Sequence, residues 1–300
     1  MYRIRPLIEK SKLKPIKYAK KKSVYIIETN DNKYVIKKKN DNYILNYLKT
    51  RNFDYMPKIL NEDETYQLTE YIDEINVPDD QKIFDLIDIV SLLHYKTTHF
   101  KEVDTNYYKG LYEDITGNIE YLRNYYNDLI AIIDNKEFMA PYEYVIARNI
   151  GKIYEALDFS QREIEVWYEE VKNEKKRRVV VLHNNLDLSH FIRNEESYLI
   201  SWNKSRIDIP IFDLYKLYRK QGLDYDFETI LKHYESHYPL LKEERKLFFI
   251  LSSLPNKIEF NKTEYEMCRS ISREIDLLYK TEKLMSPYYS ENEKENKYSK

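Results

Sequence analysis

The chain has 300 residues, of which 49 are basic and 51 acidic, and its formal net charge is −2. This balance gives no indication of a nucleic-acid partner or of an anionic membrane surface, and the length allows one large core or two smaller ones. The single cysteine, Cys268, excludes an intrachain disulfide and a cysteine-based zinc site and is typical of a reducing compartment. We therefore expect a cytoplasmic protein.

The N-terminal segment contains charged residues among short apolar pairs and no continuous apolar stretch. Arg3, Arg5, Glu9 and Lys10 all fall within the first 14 residues. A signal peptide needs an uninterrupted apolar region, and no part of the chain reaches the length of a membrane span. We expect neither a signal peptide nor a membrane span.

From Pro15 to Leu68 the apolar residues alternate as they do in β-strands. Ser23–Thr29 and Lys33–Lys37 predict a hairpin that turns at Asn30–Asn32. A short helix over Asp41–Lys49 and two further strands, Pro57–Leu60 and Tyr66–Glu70, complete a small sheet with one helix.

After Pro78 the apolar residues recur at helical spacing, first at Ile83, Leu86, Ile87, Val90 and Leu93. The same pattern predicts helices over residues 82–98, 106–133, 142–173, 224–236, 240–254 and 262–284. A short β island interrupts them at Val179–Leu182, Phe191–Ile192 and Tyr198–Trp202, and we expect the polar residues after Pro287 to form a mobile tail.

Three motifs follow one another in the second half of the chain. The strand Val179–Leu182 runs into His183-Asn-Asn-Leu-Asp-Leu-Ser-His190, which is followed by Leu199-Ile-Ser-Trp-Asn203 and by Pro210-Ile-Phe-Asp-Leu214. Their order and spacing resemble the aminoglycoside phosphotransferase superfamily and, within it, the bacterial spore-coat CotS-type proteins. Members carry a strand, His-Gly-Asp with an Asn five residues after the Asp, Ile-Asp-Trp or Ile-Asp-Phe, and an Asp-Leu in the next helix.

The resemblance implies an α+β, two-lobed protein-kinase-like fold. It predicts an N-terminal sheet-and-helix lobe over residues 1–73, a mainly helical lobe with the β island over 74–286, and a polar tail over 287–300. Tyr34-Val-Ile-Lys37 resembles the strand that offers a phosphate-binding lysine, with Asp41 as the nearest candidate carboxylate partner. Alternatively, Lys37 is simply one of three consecutive lysines that are exposed to solvent.

A hinge is predicted at Leu68-Thr-Glu-Tyr-Ile72, so the resemblance makes Glu70, Tyr71 and Ile72 candidate cofactor contacts. The glycine-rich loop of the family is not visible, because the corresponding stretch is Tyr18-Ala-Lys-Lys-Lys-Ser23. The run Lys20-Lys-Lys22 either attracts an anionic ligand or forms a solvated hairpin turn.

The residues that the family uses for chemistry are replaced in this chain. In the family the Asp of His-Gly-Asp accepts a proton, and the downstream Asn and the Asp of Ile-Asp-Trp hold Mg²⁺. The matching positions here are Asn185, His190 and Ser201. An amide is not a base at neutral pH, and a lone hydroxyl is a poor ligand for Mg²⁺. We predict no catalytic residue, no metal site and no cofactor; ATP and Mg²⁺ would bind only if this interpretation is wrong.

Two alternatives concern the same loop. Asp187, two residues beyond the lost base, is a candidate displaced base, and His183 is either a structural residue that bonds loop backbone or a catalytic one. His183, Asp187 and His190 do not have the spacing of a recognised metal site.

The leading hypothesis is a pseudokinase, a binding or scaffold protein that holds an unknown protein partner or a small ligand in the interlobe cleft. The alternatives are an active small-molecule phosphotransferase that uses non-standard residues and a spore-coat-type structural component. The last would make the protein spore-associated.

Overall fold

The computed structural model describes residues 2–21, 23–39, 43–104 and 106–298, with side chains between 3 and 289 in those ranges. The chain divides into two compact units. The first contains the residues up to Thr98 together with Val180–Ile207, and the second contains His99–Val179 and the residues from Asp208 onward. These units group residues by contact, so the lobe boundary at residue 73 stays a prediction.

An antiparallel sheet forms the centre of the first unit. Its strands are β1 (Lys17–Lys21), β2 (Val24–Glu28), β3 (Lys33–Lys38), β4 (Ile59–Glu62) and β5 (Tyr66–Glu70), and their order is β1, β2, β3, β5, β4. The register of β3 and β5 pairs Ile36 with Leu68 and Lys37 with Gln67. Directly opposite residues point to the same face, and alternate residues to opposite faces. Lys37 and Gln67 therefore share one face, and Ile36 and Leu68 the other.

The Ile36 face of the sheet packs on the N-terminal helix α1 (Arg5–Lys10). The cluster of buried side chains that joins them consists of Ile4, Leu7, Ile8, Ile27, Ile36 and Leu68. Each such side chain stabilises the unit by roughly 1.5–3 kcal/mol when fully removed from water. Because this face holds the core, the Lys37 face is left for other contacts.

Two further helices and a hairpin complete the first unit. They are α2 (Tyr43–Thr50), α3 (Asp79–Thr97) and the antiparallel pair β8 (Phe191–Arg193) and β9 (Ser197–Leu199). The apolar face predicted for α3 is confirmed, since its five residues are all buried. Arg193 on β8 forms an ion pair with Asp85 on α3, with 3.2 Å between Nε and Oδ2. This pair joins the hairpin to the helix.

Long helices form most of the second unit. They are α4 (Tyr107–Asp134), α5 (Pro141–Val171), α6 (Ile211–Gln221), α7 (Phe227–His237), α8 (Lys242–Ser253) and α9 (Glu264–Tyr298). Large aromatic side chains fill their core, namely Tyr126, Trp167, Tyr218, Tyr234, Phe248 and Phe249. Strand β6 (His99–Glu102) pairs antiparallel with the beginning of β7 (Lys176–Leu182). The chain passes from one unit to the other within β7 and again within β10 (Arg206–Asp208).

The structure corrects several predicted boundaries. Helix α9 was predicted to end at residue 284, but it continues through Pro287 to Tyr298. The residues from Pro287 to Tyr298 are therefore helical. The strand predicted over Tyr198–Trp202 ends at Leu199, because Ser201 has left-handed backbone angles that no strand allows. Helix α6 was absent from the periodic segments, although the resemblance placed Asp213 in a helix. No described helix combines the length and apolar character that a membrane crossing requires.

Candidate ligand-binding site

A cavity of about 530 Å³ lies on the Lys37 face of the sheet, and we call it the front cavity. Strands β2, β3 and β5 supply one part of its wall, and the segment from Leu188 to Asn203 supplies another. Its polar lining includes Lys21, Lys37, Lys38, Glu70, Glu74, Lys82, Ser189, Ser201 and Asn203. Its volume falls in the range of small-molecule sites, and basic side chains outnumber acidic ones. Such a lining favours an anionic ligand.

Lys37 is partly buried at the wall of this cavity. Burial lowers the pKa of Lys37 because it penalises the charged ammonium. Within the described residues Lys37 forms no ion pair, and the sequence of α2, Tyr43-Ile-Leu-Asn-Tyr-Leu-Lys-Thr50, contains no acidic residue. The candidate partner Asp41 lies outside the described residues. A partly desolvated ammonium of this kind is suited to an anion supplied from outside the chain.

The predicted hinge residues Glu70, Tyr71 and Ile72 line the front cavity. The Oε1 atom of Glu70 accepts a hydrogen bond from the backbone N–H of Lys58 at 2.8 Å. The backbone N–H of Tyr71 donates to the carbonyl of Lys33 at 3.3 Å. The two bonds attach the end of β5 to the residues around Lys58 and Lys33. The first of them also occupies one oxygen of the Glu70 carboxylate.

His183 and Asn184 shape the backbone at the end of β7. The buried His183 donates from Nε2 to the carbonyl of Ile200 at 2.7 Å, and its ring lies 4.8 Å from that of Trp202 in an edge-to-face arrangement. Asn184 has a φ of 59° and donates from Nδ2 to the carbonyl of Lys204 at 2.7 Å. Both contacts tie the loop to the segment around Ser201. They support the structural interpretation of His183.

Asn185, Asp187 and His190 are tied into the loop itself. His190 donates from Nδ1 to the backbone carbonyl of Asn185 at 2.8 Å. Asp187 caps the 3-10 turn Leu188–His190, because its Oδ1 accepts from the backbone N–H of Ser189 at 2.9 Å and from the Ser189 hydroxyl at 2.7 Å. Among the described residues the ligand atoms of His183, Asp187 and His190 do not converge as a metal site would require.

The structure thus brings together only some of the predicted site residues. Lys37, the hinge residues 70–72 and Ser201 line the front cavity, whereas Asn185, Asp187 and His190 do not. Lys21 lines it too, from the end of β1 at the hairpin turn, and Lys22 lies outside the described residues. No sequence motif indicated Glu74 and Lys82, which form an ion pair at the cavity.

Known structures share this fold. An aminoglycoside phosphotransferase from Alicyclobacillus acidocaldarius has a TM-score of 0.71 at 11% identity, over 94% of this chain and 95% of the other. The spectinomycin phosphotransferase APH(9)-Ia in complex with AMP has a TM-score of 0.58 at 13% identity, over 92% and 97%. The choline kinase LicA from Streptococcus pneumoniae has a TM-score of 0.50 at 17% identity, over 96% and 100%.

No protein-family model matches the sequence, and no curated protein matches it at the sequence level. The likeness is therefore one of structure. The chain has the α+β fold of aminoglycoside phosphotransferases and choline kinases, which confirms the predicted fold class.

Proposed function

We propose that this protein is a pseudokinase of the aminoglycoside phosphotransferase-like superfamily, which binds a ligand or partner without transferring phosphate. The main observation behind this proposal is that the carboxylates lining the described part of the front cavity already have partners within the protein. Its described lining includes Glu70 and Glu74; the first accepts a backbone hydrogen bond and the second pairs with Lys82. A hard cation such as Mg²⁺ needs carboxylate oxygens. Both carboxylates in the described lining are already engaged by the protein.

The three replaced positions support the same proposal. Asn185 has no basic atom for a proton, and His190 is an imidazole whose Nδ1 proton is committed to the carbonyl of Asn185. Ser201 contributes a hydroxyl where the resembling family has a carboxylate. A phosphoryl-transfer site depends almost entirely on positioning and on metal-assisted charge stabilisation. A site that lacks these ligands retains a binding surface.

The contacts of Asp187 argue against the active-enzyme alternative. A displaced base must reach the hydroxyl that it deprotonates, within hydrogen-bonding distance or through one water molecule. Asp187 does not line the front cavity, and Ser189 donates two hydrogen bonds to its Oδ1. We assign it to capping the turn.

The ligand that suits the front cavity is an anion bound without a divalent metal. Lys21, Lys37 and Lys38 supply positive charge there. A spectinomycin phosphotransferase of this fold has been solved with ADP and spectinomycin, so the fold is compatible with phosphate-bearing ligands. The motif resemblance to CotS-type proteins extends the proposal to a binding or scaffold role in a spore-associated or cytoplasmic setting.

Thermal unfolding with ATP, in the presence and absence of Mg²⁺, tests the proposal. A ligand that binds only the folded state stabilises it by RT ln(1 + L/Kd), where L is the free ligand concentration, and thereby raises the unfolding temperature. We expect ATP to give a small shift or none, and we expect Mg²⁺ not to increase it. A large shift that appears only with Mg²⁺ would refute the proposal, and Lys37→Ala serves as the control for binding at the front cavity.

A further inference from the structure

A cavity of about 350 Å³ lies within the second unit, and we call it the Tyr108 pocket. Helices α4, α5 and α8 and strands β6 and β7 supply its walls. The apolar part of its lining includes Phe100, Tyr108, Trp167, Val171, Ile209 and Leu247. Its volume falls in the range of small-molecule sites, and it shares no lining residue with the front cavity.

The hydroxyl of Tyr108 is a polar group that the fold leaves without a partner. The residue is 8% exposed, and within the described part of the chain its hydroxyl forms no hydrogen bond. The oxygen nevertheless keeps accessible surface, and in a side chain this deeply buried such surface faces a cavity. The ring is held edge-to-face against that of Trp167, with 5.8 Å between the ring centroids. A hydroxyl fixed in this way can accept a hydrogen bond from a bound molecule.

Two carboxylates of the same lining, those of Glu174 and Glu243, form no ion pair within the described residues. Burial, together with the charges of Glu244 and Glu174, raises the pKa of Glu243. Burial and the charge of Glu243, followed by those of Glu174 and Glu244, raise the pKa of Tyr108 to about 12. The free hydroxyl and the two unpaired carboxylates therefore act on one another, and a positive charge among them would stabilise both carboxylates.

The other charged side chains of the pocket do not supply that positive charge. Three of them have partners of their own, namely Glu170 with Lys246, Glu244 with Arg178, and Arg177 with Asp208. Lys176 and Lys242 are exposed, so solvent screens their charge. Among the described residues, no three acidic groups of this pocket converge as the ligands of a metal ion would. The missing counter-charge is therefore best supplied by an organic cation.

We propose that the Tyr108 pocket binds a primary ammonium group carried on an apolar stem. Such a group has three N–H donors, which match the hydroxyl of Tyr108 and the carboxylates of Glu174 and Glu243. A quaternary ammonium would bring the charge without the donors. The stem packs on the apolar lining of the pocket. Because the lining is separate from that of the front cavity, the proposal does not depend on whether the chain transfers phosphate.

Three matched probes test the proposal on the full chain. Phenethylamine carries the primary ammonium and an apolar stem; its N,N,N-trimethyl derivative keeps the charge without a donor; 2-phenylethanol keeps a donor without the charge. We expect phenethylamine to bind in calorimetry and each analogue to bind at least about tenfold more weakly, because each loses charge-assisted hydrogen bonds. Either analogue binding as tightly as phenethylamine, or no binding of phenethylamine at millimolar concentration, would overturn the proposal.

A primary ammonium group can belong to a small amine or to a lysine side chain of a partner protein. Nα-acetyl-lysine amide distinguishes these sources, because it carries the same group on an aliphatic stem. Since aromatic rings line the pocket, we expect it to bind more weakly than phenethylamine. Tighter binding of the lysine derivative would assign the same ammonium site to a partner protein.

A pair of variants locates the binding. Tyr108→Phe removes a hydroxyl that has no partner, so we expect an unchanged unfolding temperature without ligand and about tenfold weaker phenethylamine binding. Tyr112→Phe removes a hydroxyl one turn further along α4, outside the lining of the pocket, and should leave the affinity unchanged. An unchanged affinity in Tyr108→Phe, or the same loss in both variants, would contradict the assignment. The comparison of probes needs no substitution, so it decides the matter even if a variant folds poorly.

Discussion

Two residues in the segment from β7 to β10 have left-handed backbone angles, Asn184 with a φ of 59° and Ser201 with a φ of 67°. Glycine usually takes such positions, and asparagine is the most tolerated alternative because its short amide bonds locally. The amide of Asn184 donates instead to the carbonyl of Lys204, 20 residues further along the chain. Asn184 stands where the resembling family has the glycine of His-Gly-Asp, which explains how a chain with few glycines forms this turn.

Ser201 is less well suited to its conformation, and this gives a prediction. Ser201→Gly should raise the free energy of unfolding by up to about 1 kcal/mol, because removal of the steric cost of a left-handed L-residue outweighs the extra backbone entropy that glycine loses on folding. Ser201→Val should lower it by about 1–2 kcal/mol, because a β-branched side chain tolerates positive φ least. Urea unfolding of both variants measures the difference.

Ser197 on β9 provides the matched control. Strand backbone favours valine over glycine, so the order of the two variants should reverse there. The same order at both positions would show that the backbone of Ser201 does not determine its stability.

At the scale of elements, the N-terminus of α8 is joined to β7 by a buried ion pair. Arg178 donates from Nε to Glu244 Oε1 at 3.0 Å and from its terminal nitrogen to Oε2, and the two side chains are 11% and 5% exposed. The same Glu244 accepts from the backbone N–H of Leu241 at 3.0 Å, which caps the helix. The carboxylate of Glu244 therefore accepts hydrogen bonds both from a side chain of β7 and from the backbone at the N-terminus of α8.

Glu244→Gln should destabilise the protein by about 3–5 kcal/mol, because it removes the carboxylate that pairs with the largely buried guanidinium of Arg178. Chemical denaturation gives the magnitude. The exposed pair of Lys232 and Glu228 on α7 is the control, with side chains 64% and 38% exposed. Glu228→Gln should change stability by less than about 0.5 kcal/mol, since solvent screens that pair. Similar losses of stability in both variants would contradict the conclusion that burial makes the Arg178–Glu244 pair the stronger one.

Elements that bury apolar side chains could be predicted from the sequence, because burial leaves a hydrophobic pattern. Elements that are held by backbone hydrogen bonds alone could not be predicted in this way. Strands β2 and β3 each bury an isoleucine, β5 buries three consecutive residues, and α3 buries the predicted stripe. By contrast, β1 (Lys-Tyr-Ala-Lys-Lys) is exposed along its whole length, because it lies at the edge of the sheet and pairs with β2 alone. Its pairing comes from backbone hydrogen bonds, which leave no hydrophobic pattern.

At the scale of the whole molecule, we expect no phosphotransfer from purified protein, and Asn185→Asp alone should not create it. A base and its metal ligands act on one transition state, so restoring one member leaves the others missing. Loss of a general base costs about 10²- to 10⁴-fold, and loss of a metal clamp removes several kcal/mol more. Transfer of radiolabelled phosphate from ATP to sugars, aminoglycosides and protein acceptors is the measurement.

The triple variant Asn185→Asp, His190→Asn and Ser201→Asp should recover Mg²⁺ binding before it recovers turnover. Aspartate tolerates left-handed angles, so position 201 accepts it without further strain. Turnover by the unmodified protein that disappears in Lys37→Ala would contradict the pseudokinase proposal. Asp187 would then be the first residue to substitute.

The candidate site could be predicted only where short motifs carry it. Tyr34–Lys37 and the stretch from His183 to Asn203 identified residues that the structure places at or beside the front cavity. The cavity lined by Gln67 and Lys37 left no such trace, because no short motif connects the two strands, the helix and the loop that line it. The polar Gln67 beside the apolar Leu68 in β5 was the available signal, and its burial is visible only in the folded chain.

Lys37 lines both the front cavity and a second cavity of about 320 Å³ that Gln67 and Leu45 also line, yet it has a single ammonium group. An anion that draws this group toward one cavity removes it from the other, so the ligands of the two cavities should compete for it. By linkage, each should weaken the binding of the other by the same factor. Under the pseudokinase proposal, the occupancy of one cavity thereby reports the concentration of the ligand that binds the other.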